Sequence, residues 1–364
     1  MQIPFTFSKY IIRTFLGWFF IVFAALVLII TLFDTVELFR RAASKPDVSV
    51  LIIIKMVAMK LPYITQQLMP FIILFASLFT FRAFNRNLEF VVARGSGISA
   101  WQFLAPIFAL VALFSILDLA LLNPLTSAMM SRYEKFDARY FKRQSNPLTL
   151  SDTGLWVKNS DPDGYHIIHA DRVHPDSEKF YNVSVFNFNN ADEYRGRIDT
   201  SDATIKEDKL KLENVYDSPR HGTTTQQGKR TLESNIKMRA IQESFASPYT
   251  LSFWALPGFI RVMEASGFSG LSHRLHWNVL LSYPVILCIM ILIAAIFTLR
   301  WKRNQRLTFS IAGSVGCGFV FYVFNSVMHT LGLSSKVPIS FSVWIPIVCV
   351  GLSSLMFLLH LEDS

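Results

Sequence analysis

The stretch Trp277–Leu299, WNVLLSYPVILCIMILIAAIFTL, carries no charged side chain, and the basic segment Arg300-Trp-Lys-Arg-Asn-Gln-Arg306 follows it at once. About 20 predominantly apolar residues let a helix cross a bilayer core. The run therefore reads as a spanning helix that stops at a basic loop, and that reading decides the fold class. Five further uncharged stretches have the same character: Phe15–Phe33, Leu61–Phe81, Ile98–Leu117, Leu307–Met328 and Val337–Leu359. The first is too long for the apolar part of a secretory signal, and no small-x-small cleavage site follows it, so it reads as retained. Leu61–Phe81 holds Pro62, Gln66, Gln67 and Pro70. Such residues are tolerated in a span that faces protein or a cavity. Val48–Lys60 mixes apolar residues with Lys and extends this second helix into the interface.

The composition agrees with six spans and one soluble part. Of 364 residues, 52% are hydrophobic and 17% charged, with 33 Phe. The formal net charge is +9. Ser131–Gly270 is neutral, with 19 basic and 19 acidic side chains, so the whole excess flanks the spans. Charge in that position meets lipid headgroups, and no nucleic-acid partner is expected. Cys288, Cys317 and Cys349 all lie in spans, which excludes a disulfide framework or a zinc site in the soluble part. Orientation follows from Lys and Arg. Lys9, Arg13, Arg82, Arg86, Arg94, Arg300, Lys302, Arg303 and Arg306 fall on one side of the membrane. Arg40, Arg41, Lys45, Lys55, Lys60 and Lys336 fall on the other. Both termini are expected in the cytoplasm and residues 131–270 outside, which is the periplasm in a Gram-negative bacterium.

The outside segment has a different texture. Tyr165-His-Ile-Ile-His169, Tyr181-Asn-Val-Ser-Val-Phe-Asn-Phe188 and Leu210-Lys-Leu-Glu-Asn-Val215 alternate apolar with polar residues. Asp161-Pro-Asp-Gly164, His174-Pro-Asp and Ser218-Pro-Arg-His-Gly222 separate such runs with turn formers. Period two between turns reads as an antiparallel β-sandwich or jelly roll. The apolar-poor Pro219–Arg230 reads as a loop. The fold expected is an α-helical polytopic membrane protein, six transmembrane helices in three plus three, with an inserted periplasmic all-β, jelly-roll-like domain. Its parts are a first transmembrane half, 1–130, the β-domain, 131–270, and a second half, 271–364.

No catalytic constellation stands out. Gly222 and Gly228 before Lys229 have the wrong spacing for a phosphate loop, and Arg230 replaces its Ser/Thr. His166 and His169 fall on opposite faces of a strand, a poor metal pair. Asp118, at the end of the third span, reads as a snorkelling or locally hydrogen-bonded carboxylate. A functional role for an intramembrane acid stays open.

The segment between the second and third spans is more informative. Asn85-Arg-Asn-Leu-Glu-Phe-Val-Val-Ala-Arg-Gly-Ser-Gly-Ile-Ser99 is helical up to Arg94 and is broken by Gly95 and Gly97. With Glu89 and Arg94 exposed it either docks in a cytoplasmic partner or is a plain surface connector.

Leu88-Glu-Phe-Val-Val-Ala-Arg-Gly-Ser-Gly-Ile-Ser99 resembles the coupling-helix motif of the lipopolysaccharide export permeases LptF and LptG. The resemblance covers nearly the whole chain. Pro62–Pro70 is similar to that family's second span, and Asn123-Pro124 follows the third span as it does there. Gly313, Gly316 and Gly318 fall in the fifth span, and Trp344 and Pro346 in the sixth. Gly154-Leu-Trp-Val157 followed by Tyr165-His-Ile-Ile168 looks like the LptG opening of the periplasmic domain. Leu88, Phe90 and Gly95 depart from the commonest residues of the motif.

The resemblance implies a permease subunit of an ABC-type exporter in the bacterial inner membrane. Such a subunit extracts lipopolysaccharide from the outer leaflet and passes it to a periplasmic bridge. It implies a paralogous partner, LptF, an LptB ATPase dimer, LptC and LptA. ATP is used by that ATPase, and this chain is expected to bind no cofactor and no metal. By the same likeness Glu89, Arg94 and Gly97, in a coupling helix over 86–97, face the ATPase. Arg40 and Arg41 fall where the family's cavity mouth carries basic residues, and Arg132 and Arg139 belong to the same rim. Arg suits lipid phosphate because it forms bidentate, charge-assisted bonds. All four would equally serve as interfacial anchors. The competing function is a membrane-anchored envelope-binding or structural protein without transport.

Overall fold

The computed structural model describes residues 5–43, 45, 48–141, 155–161, 164–174, 179–189, 193–206, 209–220, 223–233, 247–265, 269–298 and 307–363. These form two compact units, one of residues 1–141, 249–253 and 271–364, the other of residues 142–248 and 254–270.

The first unit is helical. Its elements are α1 (Phe5–Ala42), α2 (Val50–Arg86), α3 (Glu89–Gly95), α4 (Ala100–Leu117) and α5 (Asn123–Tyr140). After the β-unit come α7 (Leu271–Thr298), α8 (Leu307–Leu333) and α9 (Ile339–Asp363), while α6 (Leu256–Ala265) belongs to the second unit. Among the described residues six helical paths are long and apolar enough to cross a membrane, and the third runs from Ala100 to Tyr140 through a π turn at Asp118–Leu122. The π turn lies just ahead of Pro124, which has no N–H for the carbonyl four residues back. The sequence boundary at 130/131 therefore falls inside a helix. Thr126, Ser127, Tyr133 and Asp137 form a buried stripe that keeps α5 packed well past it. The basic cluster Arg300–Arg306 and Gly154 lie outside the described residues.

Two helices are the most enclosed. Ile72, Ile73, Leu74, Ala76 and Leu78 of α2 and Leu287, Met290, Ile291, Ile293 and Ala295 of α7 are buried in one core. By contrast α1 leaves Phe20, Ile21, Leu28 and Phe33 exposed. In a bilayer such a face meets lipid tails as apolar as itself, so it is no packing defect.

The second unit is built on six strands: β1 (Leu155–Asp161), β2 (Gly164–His174), β3 (Lys179–Asn189), β4 (Tyr194–Lys206), β5 (Lys209–Pro219) and β6 (Thr225–Glu233). They form one antiparallel sheet in chain order, so the finer arrangement among the described residues is a meander. Ile168, Ala170, Phe180, Val183, Val185, Ile198, Leu210, Leu212 and Val215 make its own buried cluster. Gly164 is needed at the first hairpin, because a Cβ there would lie 2.1 Å from the Phe188 carbonyl oxygen.

Alternation slips by one in three neighbouring strands. Phe180 and Val183, Thr200 and Ala203, and Leu212 and Val215 are all buried although three apart. The register places Asn182, Ser201 and Asn214 side by side at the slip. Asn182 and Asn214 hold φ of 51° and 57°. Asn tolerates this left-handed conformation far better than most side chains. The two left-handed residues thus add one residue to their strands at the same level, and the apolar face continues inward on both sides.

The expected loop Pro219–Arg230 contains the start of a strand. Among the described residues β6 is an edge strand, and edges carry polar and charged residues that discourage further pairing. Arg230 reaches Asp217 at 2.6 Å and Lys229 reaches Glu213 at 3.2 Å, which ties it to β5.

Asn214→Val forces a β-branched residue into the left-handed region, at a cost of about 1–2 kcal/mol. Asn214→Gly keeps the conformation accessible. Hydrogen exchange on the full-length chain should show weakened protection in β3–β5 for Val and near-native protection for Gly.

Candidate functional site

The connector α3 is fixed on one face and open on the other. Phe90 and Ala93 are buried, while Leu88, Val91, Val92 and Arg94 are exposed. The Phe90 ring lies 5.4 Å from Phe103, and Phe103 also meets Phe7, Phe81 and Phe84 at 6.0, 6.3 and 5.2 Å. Tyr10 adds a ring 5.7 Å from Phe84. Phe103 of α4 is thus the centre of an aromatic box with walls from α1, α2 and α3. Phe103 meets Phe84 and Phe90 edge to face, a preferred aromatic geometry.

Glu89 is held inside the chain. Its Oε1 accepts from Tyr10 Oη at 3.1 Å and from Asn87 Nδ2 at 2.9 Å. Arg94 lays its guanidinium over the Phe90 ring at 5.9 Å. Leu88 enters the helix at φ 56°, a costly conformation for a leucine. Gly97 stands at φ 86° and closes α3: Gly97 N–H donates to Arg94 O at 2.9 Å and Ile98 N–H to Ala93 O at 3.0 Å. That pair of bonds is a Schellman ending, which favours Gly at the left-handed position. Ser99 then caps α4 reciprocally with Gln102 at 3.2 and 3.1 Å. Gly97-Ile98-Ser99 is therefore a helix-to-helix corner, and Gly97 acts through the backbone.

At the opposite ends of the spans the four arginines have different settings. Arg40 is exposed and pairs with Glu37 one turn back at 2.8 Å. Arg41 bonds Asp137 at 2.9 Å and lies 4.9 Å over the Phe141 ring, so it joins α1 to α5. Lys45 bonds the Phe141 carbonyl and Lys60 bonds Asp34 in the same region. Arg139 lies over Tyr140 at 5.6 Å, and Arg132 is exposed with no ion pair among the described residues.

Deeper in the helical unit three elements meet at Gln66. Pro70 has no N–H for the Gln66 carbonyl four residues back. Tyr283 of α7 fills that place, its hydroxyl donating to Gln66 O at 2.9 Å. The Gln66 amide donates to Asp118 Oδ2 at 2.7 Å, at the start of the π turn. Asp118 is 4% exposed, so it is buried and hydrogen-bonded and does not snorkel. Asn123 accepts from the Phe253 backbone N–H at 2.7 Å, and the Phe253 ring stacks on Trp277.

The sequence model of the lipopolysaccharide export system permease LptF/LptG matches residues 9–360. This chain belongs to the LptF/LptG family. Two relatives are the lipopolysaccharide export system permease protein LptG of Escherichia coli strain K12 and of strain O6:H1. Each is 23% identical over 313 residues, covering 83% of this chain and 84% of the relative. The chain is a lipopolysaccharide export permease by family, a multi-pass protein of the inner membrane with a β-rich domain between its third and fourth spans.

Seen in this permease, the sites named from sequence separate by setting. Glu89, Arg94 and Gly97 share the connector, whereas Arg40 and Arg41 diverge, one facing outward and the other committed to Asp137. His166 and His169 do part to different partners, Asn187 at 2.8 Å and the Trp156 ring at 4.2 Å. Tyr10, Phe103 and Tyr283 escaped the sequence reading. The usable signal for Tyr283 was Pro70, since a proline inside a buried helix demands a donor from elsewhere.

Tyr283→Phe leaves the Gln66 carbonyl without a donor, which costs about 1–3 kcal/mol in a buried setting. The melting temperature of the purified permease should fall by a few degrees. Tyr322→Phe, on an exposed face of α8, should leave it unchanged, and equal shifts would contradict the reading.

Proposed function

We propose that the chain is the subunit through which a separate cytoplasmic ATPase dimer of the LptB type drives lipopolysaccharide out of the outer leaflet. It pairs with a paralogue of the LptF type, and the lipid passes to LptC and LptA. ATP is bound and hydrolysed by the ATPase. The termini and α3 face the cytoplasm and the β-unit faces the periplasm, as the distribution of Lys and Arg supports.

The observation that carries this reading is the two-faced connector. Its outer face offers Val91, Val92 and Arg94, an apolar patch with one cation, to a groove in the ATPase. Helix-in-groove docking uses such short apolar anchors. Its inner face is Phe90 in the aromatic box. A push on α3 reaches Phe103 and with it α1, α2 and α4 together. Glu89 adds a second link, through Tyr10 to α1. The internal bonds also qualify the role of Glu89: it positions the connector whether or not it also meets the ATPase.

At the periplasmic end Arg40 is the arginine best suited to lipid phosphate. It is exposed, and its partner is a surface Glu one turn away, an interaction worth little in water. Arg132 and Arg139 are also exposed and can join it on the same rim. Arg41 holds α1 to α5 and supports the rim.

Val92, 70% exposed, is the test of the docking face. Val92→Asp places a charge where the ATPase groove is apolar, which disfavours docking. The ATPase recovered with the affinity-purified permease should drop about tenfold, the equivalent of about 1.4 kcal/mol, with the paralogue still present. Wild-type recovery of the ATPase would remove α3 from the interface.

A further inference from the structure

The face of α1 next to the connector carries a groove of ≈ 360 Å³ lined by Tyr10, Arg13, Thr14, Gly17, Trp18 and Ile21. These residues follow the three- and four-residue spacing of one helix face. The floor at Gly17 is open: a Cβ built there meets nothing within 4 Å. Trp18 forms a fixed wall, its ring 5.2 Å from Phe79. Thr14 turns its hydroxyl to the Tyr10 carbonyl at 3.0 Å, so it does not compete for a ligand. Arg13 is exposed and has no ion pair or hydrogen bond among the described residues.

Depth along the helix gives the groove a polarity. Arg13 stands just before the apolar stretch Phe15–Phe33, at the level of lipid headgroups. Gly17 and Ile21 lie about 6 and 12 Å deeper at about 1.5 Å per residue, within the hydrocarbon layer. A cation at headgroup depth followed by an open apolar channel matches a phospholipid in charge and in length.

We propose that this groove binds one anionic phospholipid of the leaflet adjoining the connector, its phosphate on Arg13 and an acyl chain over Gly17 against Trp18 and Ile21. Guanidinium makes strong bidentate bonds to phosphate. The other occupant to consider is a helix of a partner protein. The cation at headgroup depth favours an anionic lipid over an apolar helix, and the crosslinking arm of the test separates the two. Tyr10 lines the headgroup end and also donates to Glu89, so the bound lipid sits against the connector. The assignment of that leaflet as the cytoplasmic one rests on the orientation proposed above; the depth argument does not.

The test is native mass spectrometry of the full-length chain titrated with phosphatidylglycerol, and separately with phosphatidylcholine. One phosphatidylglycerol should bind in preference to phosphatidylcholine. Arg13→Gln should weaken it about tenfold, as loss of a charge-assisted contact does. Gly17→Leu fills open space, so it should fold with an unchanged melting temperature and weaken the lipid to a similar degree. Unchanged phosphatidylglycerol binding in both variants would overturn the proposal. So would crosslinking of Gly17→Cys in cells to the helix of a partner protein.

Discussion

A backbone carbonyl inside a bilayer has no water to turn to, and the chain must supply its donor. Pro70 creates that demand at Gln66, just ahead of the buried stretch Ile72–Leu78 of α2. The donor comes from Tyr283, 217 residues away in sequence. The same Gln66 holds Asp118 through its side chain, and Asp118 opens the π turn that lets the third span pass Pro124. One residue therefore joins α2, the third span and α7, and with them the two three-helix halves. A cavity between helices can form beside such a node only if the node itself stays satisfied. This explains why polar residues occupy an otherwise apolar second span.

A second constraint operates at the connector, which is too short to be stable alone. Its geometry is imposed from outside: the left-handed Leu88 at its start, the Schellman ending at Gly97, the capping box at Ser99, and Phe90 in the box around Phe103. The strain at Leu88 is outweighed by these contacts. Asn85 also donates to the Thr298 carbonyl at 3.0 Å, so α2 and α7 are tied at this end as well as at Gln66. Force applied to α3 thus arrives at a set of helices already pinned together at two depths. Under the proposed function, this is the path by which a push from the ATPase would reach the spans.

Much of this was legible in the sequence, for reasons of length and period. The runs Phe15–Phe33 and Trp277–Leu299 are unambiguous because a bilayer demands their length, and Tyr181–Phe188 because a strand alternates. Gly97-Ile98-Ser99 was legible as a break, and the family motif gave its place. What stayed hidden depends on partners distant in sequence. Nothing near Glu89 signals Tyr10, 79 residues earlier, and nothing near Arg41 signals Asp137. The two arginines are neighbours in sequence, yet helical geometry points one outward and the other at α5. The continuation of α5 past residue 130 was missed because its stripe is polar and was taken for soluble texture. β6 was missed because Thr225–Glu233 is almost entirely polar.

Proteoliposomes holding the chain, its paralogue and the ATPase, with a soluble periplasmic acceptor outside, test whether this chain carries lipopolysaccharide under power from another protein. Labelled lipopolysaccharide should move to the acceptor only with hydrolysable ATP, while labelled phospholipid stays in the membrane. ATP hydrolysis without transfer, or transfer of phospholipid in place of lipopolysaccharide, would contradict it.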